Sequence, residues 1–337
     1  MPDNAKISAQ GDRRYYLDLC LLSIPLISMA YFYYGIRPVV MCLYAALLGN
    51  LCDRLVGFLR KRKYDRSDWS NESFGLLIAL LMPASCDWAV LTVAVLAGIL
   101  IGKEAFGGYG SYPFHPAAVG YVVAAVSWPD EVMRYPVPGT PLPLNRVIDP
   151  VLSGGISSIL KKGGVPNTDL LNMMLGNYAG PIGTTAILVL LACGIYLLVR
   201  RDISWEVPFA FLATCAVIAF SHPRQAVVDN AIVAQSAAGR TTLALYELLS
   251  GALLFGALFL ATEPFTSPRA HRGGKLLYGV LLGILTMAFR YFGEYDTGIC
   301  FAVLLVGSVS QWLDRLVDWM YARAAARRQK GGTEHAQ

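Results

Sequence analysis

Charge is the first thing in short supply: Asp, Glu, Lys and Arg together make up 15% of the 337 residues, against 55% apolar. A chain of this length with an ordinary charge complement would fold as two or three soluble domains. At a mean hydropathy of +0.48 it lacks the polar surface to solvate them, which points to a multi-spanning membrane protein. Histidine is nearly absent, with four residues, and the seven cysteines (Cys20, Cys42, Cys52, Cys86, Cys193, Cys215, Cys300) fall mostly inside apolar runs with no C-x-x-C spacing. No metal site, disulfide framework or cluster held by this chain alone is expected, and the cysteines read as small buried hydrophobes. A P-loop, a dinucleotide fingerprint and a Ser-His-Asp order are missing as well. The formal charge of +5 lies in short clusters between apolar runs, a pattern that membrane topology explains and that excludes a nucleic-acid partner. The first apolar run is too long for a signal core and lacks a cleavage site, so no leader is expected to be removed.

What is present is apolar sequence in ten segments, roughly 15–34, 38–59, 73–84, 87–102, 114–128, 182–199, 205–221, 242–262, 275–291 and 297–318. Several are shorter than the ~20 residues an upright crossing needs. Residues 248–268, LLSGALLFGALFLATEPFTSP, form one apolar helix dotted with Ser250, Gly251, Ala252, Gly256 and Ala257 that runs into Glu263-Pro264. Residues 70–85, SNESFGLLIALLMPAS, repeat the shape and break at Pro83. Each copy precedes another apolar helix and then a glycine- and aromatic-rich approach, GGYGSYPFHPAAVGYV at 107–122 and FGEYDTGICFAVLLV at 292–306. The expected fold is therefore an all-α integral membrane protein of about ten transmembrane helices, in two inverted five-helix repeats with broken or half helices. Basic residues at 6–14, 60–66, 103, 200–201, 269–275 and 323–330 gather on one side, which places both termini in the cytoplasm. The chain divides into a first membrane repeat (1–128), an extracytoplasmic loop (129–181), a second, inverted repeat (182–322) and a polar cytoplasmic tail (323–337). The loop holds GGISSILKKGGV, a short interfacial helix by pattern.

Ionisable residues in the spans are the natural suspects for chemistry, because a charge in hydrocarbon survives only with a partner or a water-lined path. They are Asp18, Asp53, Arg54, Glu72, Glu247, Glu263, Arg290 and Glu294. The plain reading is interfacial charge or a structural ion pair, such as Arg290 with a neighbouring carboxylate. Glu72 and Glu263 stand at matching breaks of the repeated element and are the ion-path candidates, where a carboxylate and freed carbonyls would contact a cation. His115 opens a short helix as a cap or hydrogen-bonding residue. Tyr109, Tyr112, Phe114, Tyr291, Phe292 and Tyr295 flank the same places, as an interfacial belt or as a stacking wall for a planar cofactor.

Six motifs in order carry a resemblance that spans nearly the whole chain. Asp68-x-Ser70 with Gly75-Leu76-Leu77 and Leu80-Leu81-Met82-Pro83 is similar to DGSxxxTGLLLAL-x-LP, and 114–122 is similar to FNPAMxGYV with His115 in place of Asn. Thr140-Pro141-Leu142 falls at the ATPL position, and Gly176–Gly180 leads into 194–198 as in the same set. Residues 248–266 are similar to LLSGxxxxGAFFxATDPVT with Glu263 in place of Asp, and 289–305 to IRxxGGYPDGxxFAVLL. The chain so resembles the RnfD/RsxD family of Rnf electron-transport complexes, related to the NqrB component of the sodium-pumping NADH:quinone reductase. The resemblance implies a subunit, inactive alone, of a bacterial inner-membrane complex that couples ferredoxin:NAD oxidoreduction to Na+ or H+ translocation beside the other Rnf-type subunits (A, B, C, E and G), with membrane lipid around it. It also implies FMN joined through its phosphate to Thr140, and a second, non-covalent flavin (riboflavin or FMN), for which Tyr112, Phe114, His115 and Tyr295 are the ring-stacking candidates. Residues 135–139, Tyr-Pro-Val-Pro-Gly, lack the acid and the Ser/Thr-x-Ala of the family's attachment signal, so an unmodified proline-rich turn stands as the other reading of Thr140. The competing functions are a urea-transporter-like channel and a non-redox scaffold subunit.

Overall fold

A computed structural model describes residues 2–61, 68–145, 151–224, 227–228, 231–268, 272–293 and 295–334; Glu294 and most of the basic run 60–66 lie outside them. The first half contains α1 (Pro2–Tyr34), α2 (Ile36–Leu59), α3 (Ser70–Leu81), α4 (Trp88–Leu96, wound on through a π segment Ala97–Lys103) and α5 (Pro116–Ser127). The connection that follows carries α6 (Pro129–Val132), an antiparallel pair β1 (Arg134–Pro136) and β2 (Leu152–Gly154), α7 (Ile156–Lys161) and α8 (Leu170–Leu175). The second half holds α9 (Ile187–Arg200), α10 (Glu206–Ser221), a two-residue hairpin β3 (Val227–Val228) and β4 (Ala231–Ile232), α11 (Ala237–Leu249), α12 (Leu253–Phe255, continuing as a π segment Gly256–Leu260), α13 (Arg272–Phe292) and α14 (Gly298–Glu334).

Helix occupies every one of the ten apolar segments, but their lengths differ. Arg13–Tyr34, Ile36–Leu59, Trp88–Phe106 and Arg272–Phe292 are long and apolar enough to cross a membrane. Two bent pairs bring the number to six: Ala237–Leu249 with Leu253–Leu260 at 57°, and Gly298–Ser310 with Trp312–Arg323 at 49°. α3, α5, α9 and α10 are apolar but only 12 to 16 residues long. The eighth segment is not the continuous helix its composition suggests. It breaks at Ser250–Ala252, where Gly251 takes a φ of +60°, a left-handed conformation that a side chain would strain. The tenth bends between Ser310 and Trp312 instead of running straight to 318, and the stretch expected to be a polar tail is helical to Glu334, in keeping with its Ala and Arg content.

Close approach of backbones holds the bundle together, and small residues permit it. A Cβ on Gly75 of α3 would stand 2.5 Å from the Ala45 carbonyl oxygen of α2, and one on Gly49 of α2 would stand 2.8 Å from that of Asn71. Gly279 of α13 lies as close to Val207 O of α10, at 2.8 Å. α1 touches α9 and α5 touches α14, so the first and last helices of the two halves meet pairwise. The connections sort to two ends. At one end Arg37 donates to Ala84 O, Cys86 O and Pro143 O, Trp88 to Leu144 O, Lys161 to Gly293 O and Tyr291 to His222 O. At the other, Lys103 meets Asp68, Arg200 meets Asp18, and Arg272 meets Glu206.

Candidate functional site

Polar side chains inside this apolar bundle concentrate where helices are interrupted. α3 and the segment Leu253–Leu260 are two half-helices, and a cation with 2% exposure or less stands at the start of α3 and at the break between α11 and Leu253–Leu260. At α3 the Lys103 ammonium donates to Asp68 Oδ2 (3.1 Å), Ser70 Oγ (2.6 Å) and Asn71 Oδ1 (2.6 Å), which uses all three of its N–H bonds. Asp68 itself accepts from Ser70 N at 2.9 Å and so caps the helix start. At the second half-helix, Arg290 of α13 donates to Glu247 O (2.8 Å) and Ser250 Oγ (2.9 Å) and pairs with Glu247 Oε2 (3.1 Å). Arg224 supplies a second guanidinium to Glu247 Oε1 at 2.8 Å and donates to Ser157 O of α7 at 2.7 Å. The expected pairing of Arg290 with a neighbouring carboxylate is present, with Glu247 as the partner.

Positive charge at the start of α3 opposes the helix dipole, at about 0.3–1 kcal/mol, and Lys103 is held there because each charge-assisted hydrogen bond contributes roughly 1.5–3 kcal/mol. Arg290 meets the C-terminal turn of α11, where a cation agrees with the dipole. In the connection between α13 and α14, burial pushes the Asp296 carboxyl up to about 6, although Arg290 and Arg224 pull the other way. Its Oδ2 is buried with no hydrogen-bond partner among the described residues.

Glu263 follows the second half-helix and is fully buried. Its Oε1 accepts from Tyr16 (2.5 Å) and Tyr112 (2.8 Å), and its Oε2 from Phe265 N (3.0 Å), Thr266 N (2.7 Å) and Thr266 Oγ1 (2.8 Å). Glu72 lies in the first turn of α3, where its Oε1 accepts from Asn50 Nδ2; its Oε2 is buried and has no hydrogen-bond partner among the described residues. The two carboxylates are not equivalent in the repeat, since Glu72 lies in the first turn of its half-helix and Glu263 follows the end of the other. They share an end of the bundle instead, beside α1: Tyr16 bonds Glu263 there, and Glu72 acts electrostatically on Cys20 one turn away.

The four ring candidates do not form one wall. Tyr112 is packed edge to face on Phe74 (5.8 Å between centroids) and Phe265 (5.7 Å), and fully buried His115 on Phe74 (5.5 Å). Phe114 meets Phe106. Tyr295 stands at the opposite end, stacked on Phe301 at 4.2 Å, and borders a cavity of about 660 Å³ with Arg134, Ser157, Lys161, Arg290 and Asp296. Thr140 is exposed at that same end and donates to Val137 O at 3.2 Å. Gly139 N donates to Tyr33 O (3.1 Å) and Leu142 N to Tyr34 O (2.9 Å), which fastens its turn to the end of α1. Thr140 is thus an exposed hydroxyl on a pinned turn, whereas Tyr112 and His115 are buried among aromatic rings.

Lys103, Arg37 and Arg224 carry more of this site than their sequence positions suggest, where each reads as a topology charge. One signal was available for Lys103: it ends an apolar run and can only reach back to Asp68-x-Ser70. Asp53 is buried on α2 and Arg54 exposed beside it, and Asp18 pairs with Arg200 at 2.9 Å.

The NQR2, RnfD, RnfE family matches residues 8–321 of the chain. A Pseudomonas paraeruginosa protein, named as the D component of an ion-translocating oxidoreductase complex, is 30% identical over 296 residues, 83% of either chain. An Escherichia coli protein of the same name is 28% identical over 341 aligned positions, 89% of this chain and 91% of that one.

Proposed function

Because the chain belongs to the NQR2, RnfD, RnfE family, we propose that it is the membrane subunit of an Rnf-type complex coupling ferredoxin:NAD oxidoreduction to translocation of Na+ or H+. Its part in that coupling lies at the two half-helices. The observation that carries this reading is the pair of buried cations, Lys103 and Arg290, each bound to a serine at a helix interruption, Ser70 at the start of α3 and Ser250 at the end of α11. Interrupted helices with buried charge are costly in hydrocarbon and are kept where ions pass.

The sorting of connections into two ends supports ten crossings in two inverted halves, with the end holding Thr140 outside and both termini in the cytoplasm. Glu72 and Glu263 then lie toward the cytoplasmic end. Glu72, with an oxygen to spare, is the one of the two able to accept a cation or proton without losing a partner; Glu263 would first have to release a tyrosine. Thr140 is the residue that would hold FMN through its phosphate, and Tyr295 borders the space at the same end. Such a flavin, when bound, supplies a one-electron station; the chain's own contribution is to fix the turn through Tyr33 and Tyr34.

The test uses membrane vesicles carrying the complex with and without this chain, and follows ferredoxin-driven NAD reduction together with uptake of labelled Na+ and of protons. Loss of both electron flow and uptake on deletion, with restoration by the intact chain and loss of uptake in Glu72→Gln, is the expected result. Undiminished electron flow and uptake in the deletion would overturn the proposal.

A further inference from the structure

The last helix changes surroundings at its bend. Up to Ser310, α14 turns Leu305 and Val309 outward from the bundle, as a lipid-facing span does. Past the 49° bend the same stripe continues at helical spacing as Trp312, Leu316, Trp319 and Met320, all exposed. The opposite face is not free. Leu313 and Val317 are buried, and Val317 and Tyr321 lie over Gly273 and Gly274, at the start of α13. The segment Trp312–Arg323 is therefore fixed to the bundle by one face while an apolar stripe looks away from it.

Two arginines edge that stripe. The Arg315 guanidinium stands over the Trp312 ring at 5.6 Å, and Arg323 stands over Trp319 at 4.8 Å. Tryptophan ringed by arginine is the composition of a helix lying in a membrane interface, its rings at headgroup level and its guanidiniums among phosphates. A water-facing helix would not expose two tryptophans, a leucine and a methionine side by side. An upright span would not place arginine over both rings.

From this geometry we infer that Trp312–Arg323 is an interfacial helix that seats on anionic phospholipid, with Trp312, Leu316, Trp319 and Met320 in the headgroup–acyl boundary and Arg315 and Arg323 on lipid phosphate. The occupant follows from continuity with the lipid-facing stripe of the preceding span and from the two guanidiniums set over its tryptophans; the segment's carboxylates, Asp314 and Asp318, lie off that stripe by helical spacing, Asp314 against Gly274 of α13. The inference rests on the proposed membrane placement of α14 but not on ion or electron transfer, so it stands or falls separately from the coupling role.

The test places a photo-crosslinking residue at one position of the full chain in its complex, Trp319→p-benzoylphenylalanine, with Val317→p-benzoylphenylalanine as the bundle-facing control. The complex is reconstituted in phosphatidylcholine vesicles with and without phosphatidylglycerol, and adducts are identified by mass. Position 319 is expected to yield phospholipid adducts enriched in phosphatidylglycerol over its share of the bilayer, while 317 crosslinks within the chain. Arg315→Gln and Arg323→Gln should each lower the enrichment about fivefold. A polypeptide adduct at 319 would show that a partner subunit covers this face and would overturn the inference. So would lipid adducts in bulk proportion that ignore both arginine changes, or the absence of any adduct while 317 still crosslinks.

Discussion

Lys103 and Arg290 are both buried beside an interrupted helix and both donate to a serine there, Ser70 at the start of α3 and Ser250 at the end of α11. Beyond the far ends the two halves part. After α3, Arg37 donates to the carbonyls of Ala84 and Cys86; after Leu253–Leu260, Glu263 accepts from the amides of Phe265 and Thr266. An arginine beside freed carbonyls agrees with the helix dipole, and a glutamate at a helix C-terminus opposes it. The repeated shape thus fixes where backbone must be satisfied and leaves the sign of the satisfying charge open. The two clusters differ in a second respect. Lys103 has one carboxylate, Asp68, whose side chain is 12% exposed, whereas Arg290 shares Glu247 with Arg224 in a cluster where every charged side chain is 9% exposed or less.

That difference predicts unequal losses. Glu247→Gln would leave two buried guanidiniums without their shared carboxylate, at about 3–5 kcal/mol, and the protein should fail to accumulate or should melt far below the parent in detergent. Asp68→Asn leaves Lys103 with Ser70 and Asn71 and should cost about 1–2 kcal/mol. Equal melting of the two variants would erase the distinction between the clusters. Next in size is Gly251→Leu. A Cβ there would approach Asp296 O at 2.8 Å and would have to adopt a φ of +60°, so overpacking and left-handed strain together cost about 2–4 kcal/mol. Gly75→Leu meets the Ala45 carbonyl with overpacking alone, about 1–3 kcal/mol. A leucine at Gly331, near the end of α14, should leave the yield of complex unchanged.

Much of this was open to reading in the sequence. The positions of ten apolar segments, the proline break after α3 and the glycine-rich seam at Gly75 follow from composition and spacing alone. The break at Ser250–Gly251 did not, because its flanks are as apolar as any helix interior and the only mark is a glycine among other small residues. Nor did the bend before Trp312, whose apolar stripe continues unbroken through it. Glu72 and Glu263 look equivalent as carboxylates at the breaks, and the fold shows that one lies in the first turn of its half-helix and the other follows its end. The ring candidates were grouped by nearness in sequence to the breaks, but the fold carries Tyr295 to the opposite end from Tyr112 and His115. Buried partners brought together from distant segments, as Ser157 with Arg224 and Arg290, leave no local pattern to read.

The second cluster can also be probed by pH. Asp296 is held neutral by burial up to about 6, from an ordinary value of 3.8. A carboxyl raised in the folded state binds more protons there than in the unfolded chain between those two values. Its contribution to stability is therefore fully present below about pH 4, is lost as pH rises through 6, and stays absent above. The loss is on the order of 2 kcal/mol. Thermal melts of the purified protein should fall across that window, and Asp296→Asn should flatten the profile. A parent profile that is already flat from pH 4 to 7 would place the charge cluster in better contact with water than its burial indicates.

The smallest effect on stability belongs to Thr140, and it separates the outer turn from both half-helices. Its hydroxyl is exposed and meets one acceptor, Val137 O at 3.2 Å, while the turn is held by the backbone bonds of Gly139 and Leu142 to Tyr33 and Tyr34. Thr140→Ala removes none of those backbone bonds, so stability should move by less than ~0.5 kcal/mol and assembly should be unchanged. If Thr140 carries FMN, the parent protein should keep yellow fluorescence through denaturing electrophoresis, because a phosphoester survives unfolding, and its mass should exceed the polypeptide by one FMN. The alanine variant should lose both signals together with electron flow, yet still melt and assemble like the parent. A parent protein with the bare polypeptide mass would leave Thr140 as an ordinary proline-flanked turn. Any flavin on this chain would then have to be held without a covalent link.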